Sequence, residues 1–425
     1  APTTVPVPTT PHYPAFADDA SPDDDLPRLL EWVGNLPWKS GTPAATPESV
    51  FLTGASGFIG AYVAAAVLEH TGMNLYCLVR AGSQAAAQRR LDESFHKFGL
   101  HGRVTPHLAR LHVVAGDAAR PAFGLPETEF QALAASTDAI LHFSASVHHL
   151  ASYRQIRDDN VIATLNALRF AAMGRPKAFH FASSVTVFNA DTGNGHQTRY
   201  EEDSHGPLSS LATGYGQTKA VSEDLIELAS RLGLVSTILR MPPVSGDGVA
   251  GIAGGHDIVW RTVNACISFG IALQNDQNLY LTPVDYVAPV VARAVASGKT
   301  AGTYHLSSMH PASFEMLFTE ARNLGYKLRR LSPGPWLKAA RAVKKIHALT
   351  PYLVLAQGHI EKAMQIEHLP RFDLRRCAEL REITGVDDIP LGPERIQLYF
   401  QKLIATGFLP PPESKPDRSF KALKG

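Results

Sequence analysis

Short apolar runs alternate with longer stretches of helical periodicity from Val50 onward. The runs Val50–Thr53, Leu75–Val79, Leu111–Ala115, Ala139–Phe143, Ala178–Ala182 and Ser236–Arg240 read as buried strands. Apolar positions recur every three or four residues in Phe58–His70, Asp158–Met173 and Thr213–Arg231, which read as helices. Strands that are apolar on both faces and alternate with helices predict a parallel sheet covered on both sides, a Rossmann-type α/β fold. Thr303–Ser308 adds a further strand to this pattern. Beyond Met309 the periodicity becomes helical, over Ser313–Asn323, Pro335–Leu349, Asp373–Thr384 and Pro393–Thr406.

Three units follow from the pattern. Residues 1–47 hold ten of the 30 prolines and the acidic run Asp23-Asp24-Asp25, and read as a linker with one amphipathic piece, Leu26–Trp38, able to dock. Residues 48–308 form the nucleotide-type domain. Within it, five glycines between Gly246 and Gly255 suggest a mobile loop, and the apolar segment to Leu273 is expected on the substrate side. Residues 309–425 form a smaller, mainly helical region.

Composition narrows the classes. A 425-residue chain with 45% hydrophobic residues can bury an ordinary core. Its formal net charge of +1 gives no electrostatic reason to expect nucleic acid or a membrane surface as partner. No apolar run reaches the roughly 18 residues of a spanning helix. A Pro/Thr-rich start is not a signal peptide, and Cys77, Cys266 and Cys377 lack metal-ligand spacing, so a reduced, cytoplasmic monomer is expected. His142, His148 and His149 lie close in sequence but match no metal motif, and no metal is expected.

Candidate chemistry begins at Thr53-Gly54-Ala55-Ser56-Gly57-Phe58-Ile59-Gly60, between the first strand and first helix. Gly54 permits the tight turn, Gly57 lets backbone approach a pyrophosphate, and Gly60 lets helix and strand pack closely. Candidate cofactor contacts are therefore Gly54, Ser56, Gly57, Phe58, Ile59 and Gly60. At the end of the second strand an NAD enzyme places an acid for the ribose 2′-hydroxyl. Arg80 stands there instead, suited to a 2′-phosphate, so NADPH is expected. Arg90 is a second partner, with Arg89 as the alternative. Gly116-Asp117, with Ala118, follows the third strand, and Asp117 can accept from an adenine amino group or stabilise a turn.

Tyr215 and Lys219 lie one helical turn apart, on one face. Reducing a carbonyl creates an oxyanion that needs a proton, and an ammonium beside a phenol makes the phenol a better donor by stabilising phenolate. Ser183-Ser184 closes the fifth strand, where a hydroxyl can donate to the same oxygen. Alternate strand residues share a face, so only one of the two serines faces the site; the resemblance given below prefers Ser184, with Ser183 and Thr186 as alternatives.

Together Gly54-x-x-Gly57-x-x-Gly60, Ser183-Ser184-Val185-Thr186-Val187-Phe188 and Tyr215-x-x-x-Lys219 resemble the extended short-chain dehydrogenase/reductase superfamily. Within it, residues 48–410 resemble thioester reductase domains that end nonribosomal peptide and polyketide synthases, and the similar domains of carboxylic acid reductases. The supporting stretches are Leu52–Tyr62, Tyr76–Ala81, Gly116-Asp117 with Phe123-Gly124-Leu125, and Pro283–Ala288. The resemblance implies NADPH-dependent reduction of an acyl or peptidyl thioester on a carrier protein's phosphopantetheine arm. The product is an aldehyde, which some members reduce further to the alcohol. It also implies that Ser184, Tyr215 and Lys219 are catalytic, that Ser144, Ala145 and Ser146 line the cofactor, and that Met241, Pro242, Pro243 and Val244 border the nicotinamide. Ser184 stands where many relatives have threonine, and His142-Phe143-Ser144-Ala145 replaces a commoner His-x-Ala-Ala. Two other readings share these motifs: a sugar-nucleotide epimerase or dehydratase, which Arg80 opposes, and a catalytically silent NADP-binding regulatory module, which the intact Ser/Tyr/Lys set opposes. Lys327, Arg329, Arg330, Lys338, Arg341, Lys344 and Lys345 form an acid-free stretch, either a docking surface for an acidic carrier or a solvated helix face.

Overall fold

The computed structural model describes residues 14, 19–148, 151–188, 198–253, 258–274, 279–310, 312–341 and 371–412. Its centre is a seven-stranded sheet of β1 (Ser49–Thr53), β2 (Asn74–Arg80), β3 (Leu111–Gly116), β4 (Ala139–His142), β5 (Ala178–Ser184), β6 (Val235–Met241) and β7 (Gly302–His305). The order is β7-β6-β5-β4-β1-β2-β3, and every neighbouring pair is parallel. All seven expected strands are present, shifted by no more than a few residues at their ends. The order reverses at β1, which has β2 on one side and β4 on the other, so a crevice opens at its carboxyl end.

Helices cover both faces. On one lie α2 (Phe58–His70) and α9 (Val284–Ser297), whose alanines and valines pack on Val50, Leu52, Leu75 and Leu141. α2 is buried around most of its circumference, as expected of a helix apolar on all sides. The other face carries α1 (Pro22–Gly34), a helix that runs Tyr153–Arg157 (α5), through a π-turn at Asp158–Ile162, into Ala163–Ala172 (α6), and α7 (Gly214–Arg231). The edge near β2 and β3 is flanked by α3 (Gln84–Lys97), and α4 (Glu127–Ser136) precedes β4.

Three expectations are corrected. Residues 1–47 are not wholly a linker, because α1 is a docked helix. Ser21 caps it: its hydroxyl accepts from Asp24 N–H (3.3 Å) while the Asp24 carboxylate accepts from Ser21 N–H (2.9 Å). The acidic run that suggested a solvated tether occupies the first turn, where it complements the helix dipole. Leu29, Trp32, Val33 and Leu36 are buried beneath.

The described part of the glycine-rich stretch is not free. Asp247 Oδ1 accepts from Val249 N–H (2.9 Å) and Ala250 N–H (2.7 Å), and its Oδ2 from Tyr62 Oη–H of α2 (2.6 Å). Tyr399 Oη–H donates to the Gly246 carbonyl (2.5 Å), and Gly248 N–H to Asp285 (3.1 Å). Gly254 and Gly255 lie outside the described residues.

Residues after Met309 do not pack as one unit. α10 (Phe314–Asn323), α11 (Pro333–Arg341) and α13 (Pro393–Ala405) join α8 (Ile258–Phe269) in a third core, centred on Trp260 and Trp336. Between them Arg329–Leu331 pairs with Ile271–Leu273. In contrast, α12 (Arg375–Thr384) returns to α9 and β7, and Arg371–Phe372 pairs with Thr198–Arg199 ahead of α7. The rest of the helix expected to run to Leu349 lies outside the described residues.

Candidate active site

Gly54 leaves β1 in a left-handed conformation (φ 79°), and a Cβ there would sit 2.6–2.7 Å from the backbone of Phe143 and Ser144. A Cβ on Gly60 would lie 2.1 Å from the Gly54 carbonyl, so only glycine lets α2 settle on this loop. Gly57 receives no side-chain cap, which leaves the first-turn amides of α2 to face the groove.

That groove is lined by Gly54, Ser56 and Gly57, by Arg80 and Arg90, by Asp117 and Ala118, and by Ser144, Ala145 and Ser146. All ten are sequence-predicted cofactor contacts. The side chains of Phe58 and Ile59 pack into the core, Phe58 edge-on to Tyr62 and Phe98 with centroids 5.3 and 5.4 Å apart, so a cofactor contact from either would be through its first-turn amide. Gly60 acts through packing. Arg90 Nη1 donates to the Arg80 carbonyl (2.7 Å), while Arg89 is exposed and does not line the groove. Asp117 does what a turn aspartate does, Oδ1 accepting from Ala119 N–H (3.1 Å), while also lining the groove. Leu78, Ala119, Phe143 and Asp159 line it too and escaped the sequence reading.

Ser184 is the last residue of β5, and Lys219 of α7 reaches the same strand two residues earlier, at Ala182. α7 starts at Gly214 behind a Thr213 cap, whose Oγ1 accepts from Gly216 N–H (3.0 Å). Tyr215 and Lys219 are both buried. Lys219 Nζ donates to the Ala182 carbonyl (2.5 Å) and lies 5.8 Å from the Tyr215 ring centroid and 4.5 Å from that of Phe181. Burial pushes the Lys219 ammonium down to about 7, against the pull of the Glu223 carboxylate. Ser184 Oγ accepts from both Thr186 N–H (3.2 Å) and Thr186 Oγ1–H (3.0 Å), which directs its own proton elsewhere. Ser183, on the opposite face, donates to buried Glu223, whose carboxylate is paired with Arg240 (Nη2 to Oε2, 2.7 Å). Met241 pairs in register with Ser184, so Pro242, Pro243 and Val244 follow at the same end of the sheet.

Buried polar residues join groove and helix, and sequence alone did not single out Asn160, Thr164 or Thr218 among them. Asn160 Oδ1 accepts from Ser146 N–H (2.6 Å) while its Nδ2 donates to Thr218 Oγ1 (2.9 Å). Thr53 Oγ1 accepts from Phe143 and Ser144 N–H (3.2 and 3.1 Å), so its proton goes to His142 Nδ1 (2.8 Å). The other imidazole nitrogen then carries a proton toward Thr164 Oγ1 (3.2 Å). His142 is thereby held neutral; burial and the Lys219 charge push it down to about 3. The polar Asp158-Asp159-Asn160 within an otherwise apolar helix was the available signal.

His142 is thus engaged in the core, and His149 lies outside the described residues. Asp92, His96 and His101 do gather at the surface, but the two imidazoles stack at 4.0 Å and 17°, so their in-plane lone pairs do not converge on one ion. The three thiols are buried and unpaired. Among the described residues no helix is long and apolar enough to cross a membrane. Of the basic stretch, Lys327, Arg329 and Lys338 are exposed and Arg330 pairs with Glu315 (3.0 Å). Lys344, Lys345 and the Arg341 side chain lie outside the description.

Residues 52–291, glycine loop to α9, match the model of the NAD-binding family described as male sterility protein. The chain belongs to that family. Across this family match and beyond it, the fold is that of a solved terminal reductase domain from the myxalamid polyketide–nonribosomal peptide pathway. The two are 29% identical with a TM-score of 0.80, over 92% of this chain and 99% of that one. The large subunit of L-2-aminoadipate reductase from Penicillium chrysogenum is 28% identical over 424 residues. The match covers 93% of this chain but only 30% of that protein, so the chain corresponds to one part of it. UDP-galactose 4-epimerase, at 15% identity and a TM-score of 0.54, shares the fold alone. The motif resemblance to thioester reductase domains of the extended short-chain dehydrogenase type therefore holds over nearly the whole chain, and the relatives are oxidoreductases.

Proposed function

We propose that this chain uses NADPH to release an acyl or peptidyl thioester, held on a carrier protein's phosphopantetheine arm, as an aldehyde. The observation that carries this reading is that Tyr215 and Lys219 of α7 stand against β5, the strand that ends in Ser184, while Asn160 ties the same helix to Ser146 of the glycine-loop groove. The groove suits a dinucleotide: Gly54 lets its loop pack against the Phe143–Ser144 backbone, α2 starts there without a side-chain cap, and Arg80 and Arg90 line the side where a 2′-phosphate is expected. When bound, NADPH supplies a hydride to the thioester carbon. Ser184 and Tyr215 orient the carbonyl oxygen through their hydroxyls, and Tyr215 gives the resulting oxyanion its proton. Lys219 stabilises the phenolate left behind. The hemithioacetal then breaks its C–S bond, giving aldehyde and free thiol, so thioester, NADPH and a proton become aldehyde, thiol and NADP⁺.

Exposed Lys327, Arg329 and Lys338 offer an acidic carrier a docking face. The test supplies an acylated carrier with NADPH, follows absorbance at 340 nm, and traps the carbonyl product. NADPH consumption with stoichiometric aldehyde is expected. Turnover of a nucleotide sugar with none of the carrier-bound thioester overturns the reading.

A further inference from the structure

Asp159 brings a carboxylate into the groove on the side across from Arg80. The two come from units on either side of β1: Arg80 ends β2, and Asp159 sits in the π-turn that follows β4. The glycine loop lies between. Next to Asp159, Asn160 is turned inward to hold both backbone groups of Ser146, which leaves Asp159 half-exposed toward the groove. Its Oδ1 lies 3.4 Å from Arg80 Nη1. The remaining charged groups of the groove have other ties: Arg90 donates to the Arg80 carbonyl, and Asp117 accepts from Ala119. Asp159 is therefore the acid positioned to compete for Arg80.

We propose that Asp159 sets coenzyme selectivity by competing with a ribose 2′-phosphate for the Arg80 guanidinium. The inference rests on the NADPH reading above. A 2′-phosphate carries nearly two negative charges and pairs best with a guanidinium whose donors are available. It must draw Arg80 away from Asp159 and then tolerate that carboxylate nearby. A 2′-hydroxyl imposes neither demand, because the ion pair can stay closed and the hydroxyl can donate to the carboxylate. Asp159 thus lowers affinity for the phosphorylated coenzyme and spares the other. An acid that serves the ribose in NAD enzymes from the end of β2 is here moved to the opposite wall, beside an arginine. With both partners well exposed, the effect is modest: an ion pair of this kind is worth up to roughly fivefold in an equilibrium, and like-charge repulsion adds to it.

Dissociation constants for NADPH and NADH decide the matter, measured on the wild-type chain and on Asp159→Asn, Asp159→Glu and Arg80→Ala. Asp159→Asn should bind NADPH about two- to tenfold tighter with no gain for NADH. Asp159→Glu keeps the charge and should show no such gain. If Asp159→Asn leaves the NADH/NADPH ratio unchanged or lowers it, the carboxylate instead organises Arg80 or does nothing, and the proposal fails. Arg80→Ala tests the underlying reading separately. It should weaken NADPH about ten- to hundredfold and NADH little; if it weakens both alike, the NADPH assignment falls whatever Asp159 does.

Discussion

Lys219 Nζ lies 5.8 Å from the Tyr215 ring centroid while donating to the Ala182 carbonyl at the end of β5. One bond therefore ties the amine to the strand that carries Ser184 and fixes it beside the phenol. The hydroxyl, the phenol and the amine are positioned by two elements only, β5 and α7. Any change that shifts α7 along the strand alters all three relationships together.

Tyr215→Phe keeps the buried ring and removes the proton donor. Steady-state turnover should fall at least about a hundredfold, while NADPH still binds in a fluorescence titration. Near-normal reduction by this variant would mean that another acid delivers the proton.

Lys219 makes activity sensitive to alkali. Its pKa is pushed down to about 7, and the proposed role needs the ammonium, so kcat/KM should decline as pH rises through that value. Stability moves the opposite way. The folded pKa lies below the unfolded value, so above about pH 7 the unfolded chain binds the extra proton and the folded state gains. Between pH 7 and 9 this gain is about 2 kcal/mol, and denaturant titrations of Lys219→Met should lack it. Lys177, also pushed down by burial, to about 8, contributes with the same sign and remains in the variant. A variant whose pH slope equals that of the wild type would show that Lys219 stays charged throughout.

The parts of this fold legible in the sequence are those set by local constraint. Strand runs and the Gly54–Gly60 loop follow from burial on two faces and from backbone approach, and both appear where expected. Tyr215 and Lys219 were legible because four residues make one helical turn. Long-range pairing was not. Asp159 meets Arg80 across 79 residues, and Asn160 meets Thr218 across 58. Nothing local says that Tyr62 of α2 will tie Asp247, and with it the glycine-rich loop, to the sheet's covering helices. Alternation puts Ser183 and Ser184 on opposite faces, but only the fold shows what occupies Ser183: the buried Glu223–Arg240 pair.

That pair yields another expectation. Glu223 and Arg240 are almost wholly buried, and Arg240 also donates to the carbonyls of Glu201 (3.4 Å) and Asp203 (2.8 Å) ahead of α7. Glu223→Gln leaves a buried guanidinium without its counter-charge and should cost about 3–5 kcal/mol in denaturant unfolding. Removing this carboxylate also withdraws the influence that raises Lys219, so the alkaline fall in kcat/KM should move to lower pH. Lost stability with an unmoved pH profile would separate the structural tie from the electrostatic one.

The N-terminal helix is the last case, and it concerns α7 directly. α1 packs against α7, the helix bearing Tyr215 and Lys219. Asp25, 2% exposed, accepts from Tyr153 Oη–H (3.1 Å) and Arg157 Nη1–H (3.2 Å), both on α5, which also packs on α7. Burial and the Asp25 charge push the Tyr153 phenol well up, so it stays protonated and keeps donating. Asp25→Ala would take the buried acceptor from Tyr153 and Arg157, leaving Arg157 its exposed neighbour Asp158 (3.6 Å), and should destabilise the fold by about 3 kcal/mol. Asp25→Asn keeps a polar acceptor and should cost less. Cutting the chain after Trp38 goes further, because Leu29, Trp32, Val33 and Leu36 are each worth roughly 1.5–3 kcal/mol when buried. The truncated chain should lose turnover and melt earlier, since one flank of α7 is stripped of its cover. A truncation that melts with the intact chain and keeps its turnover would restore the linker reading of residues 1–47.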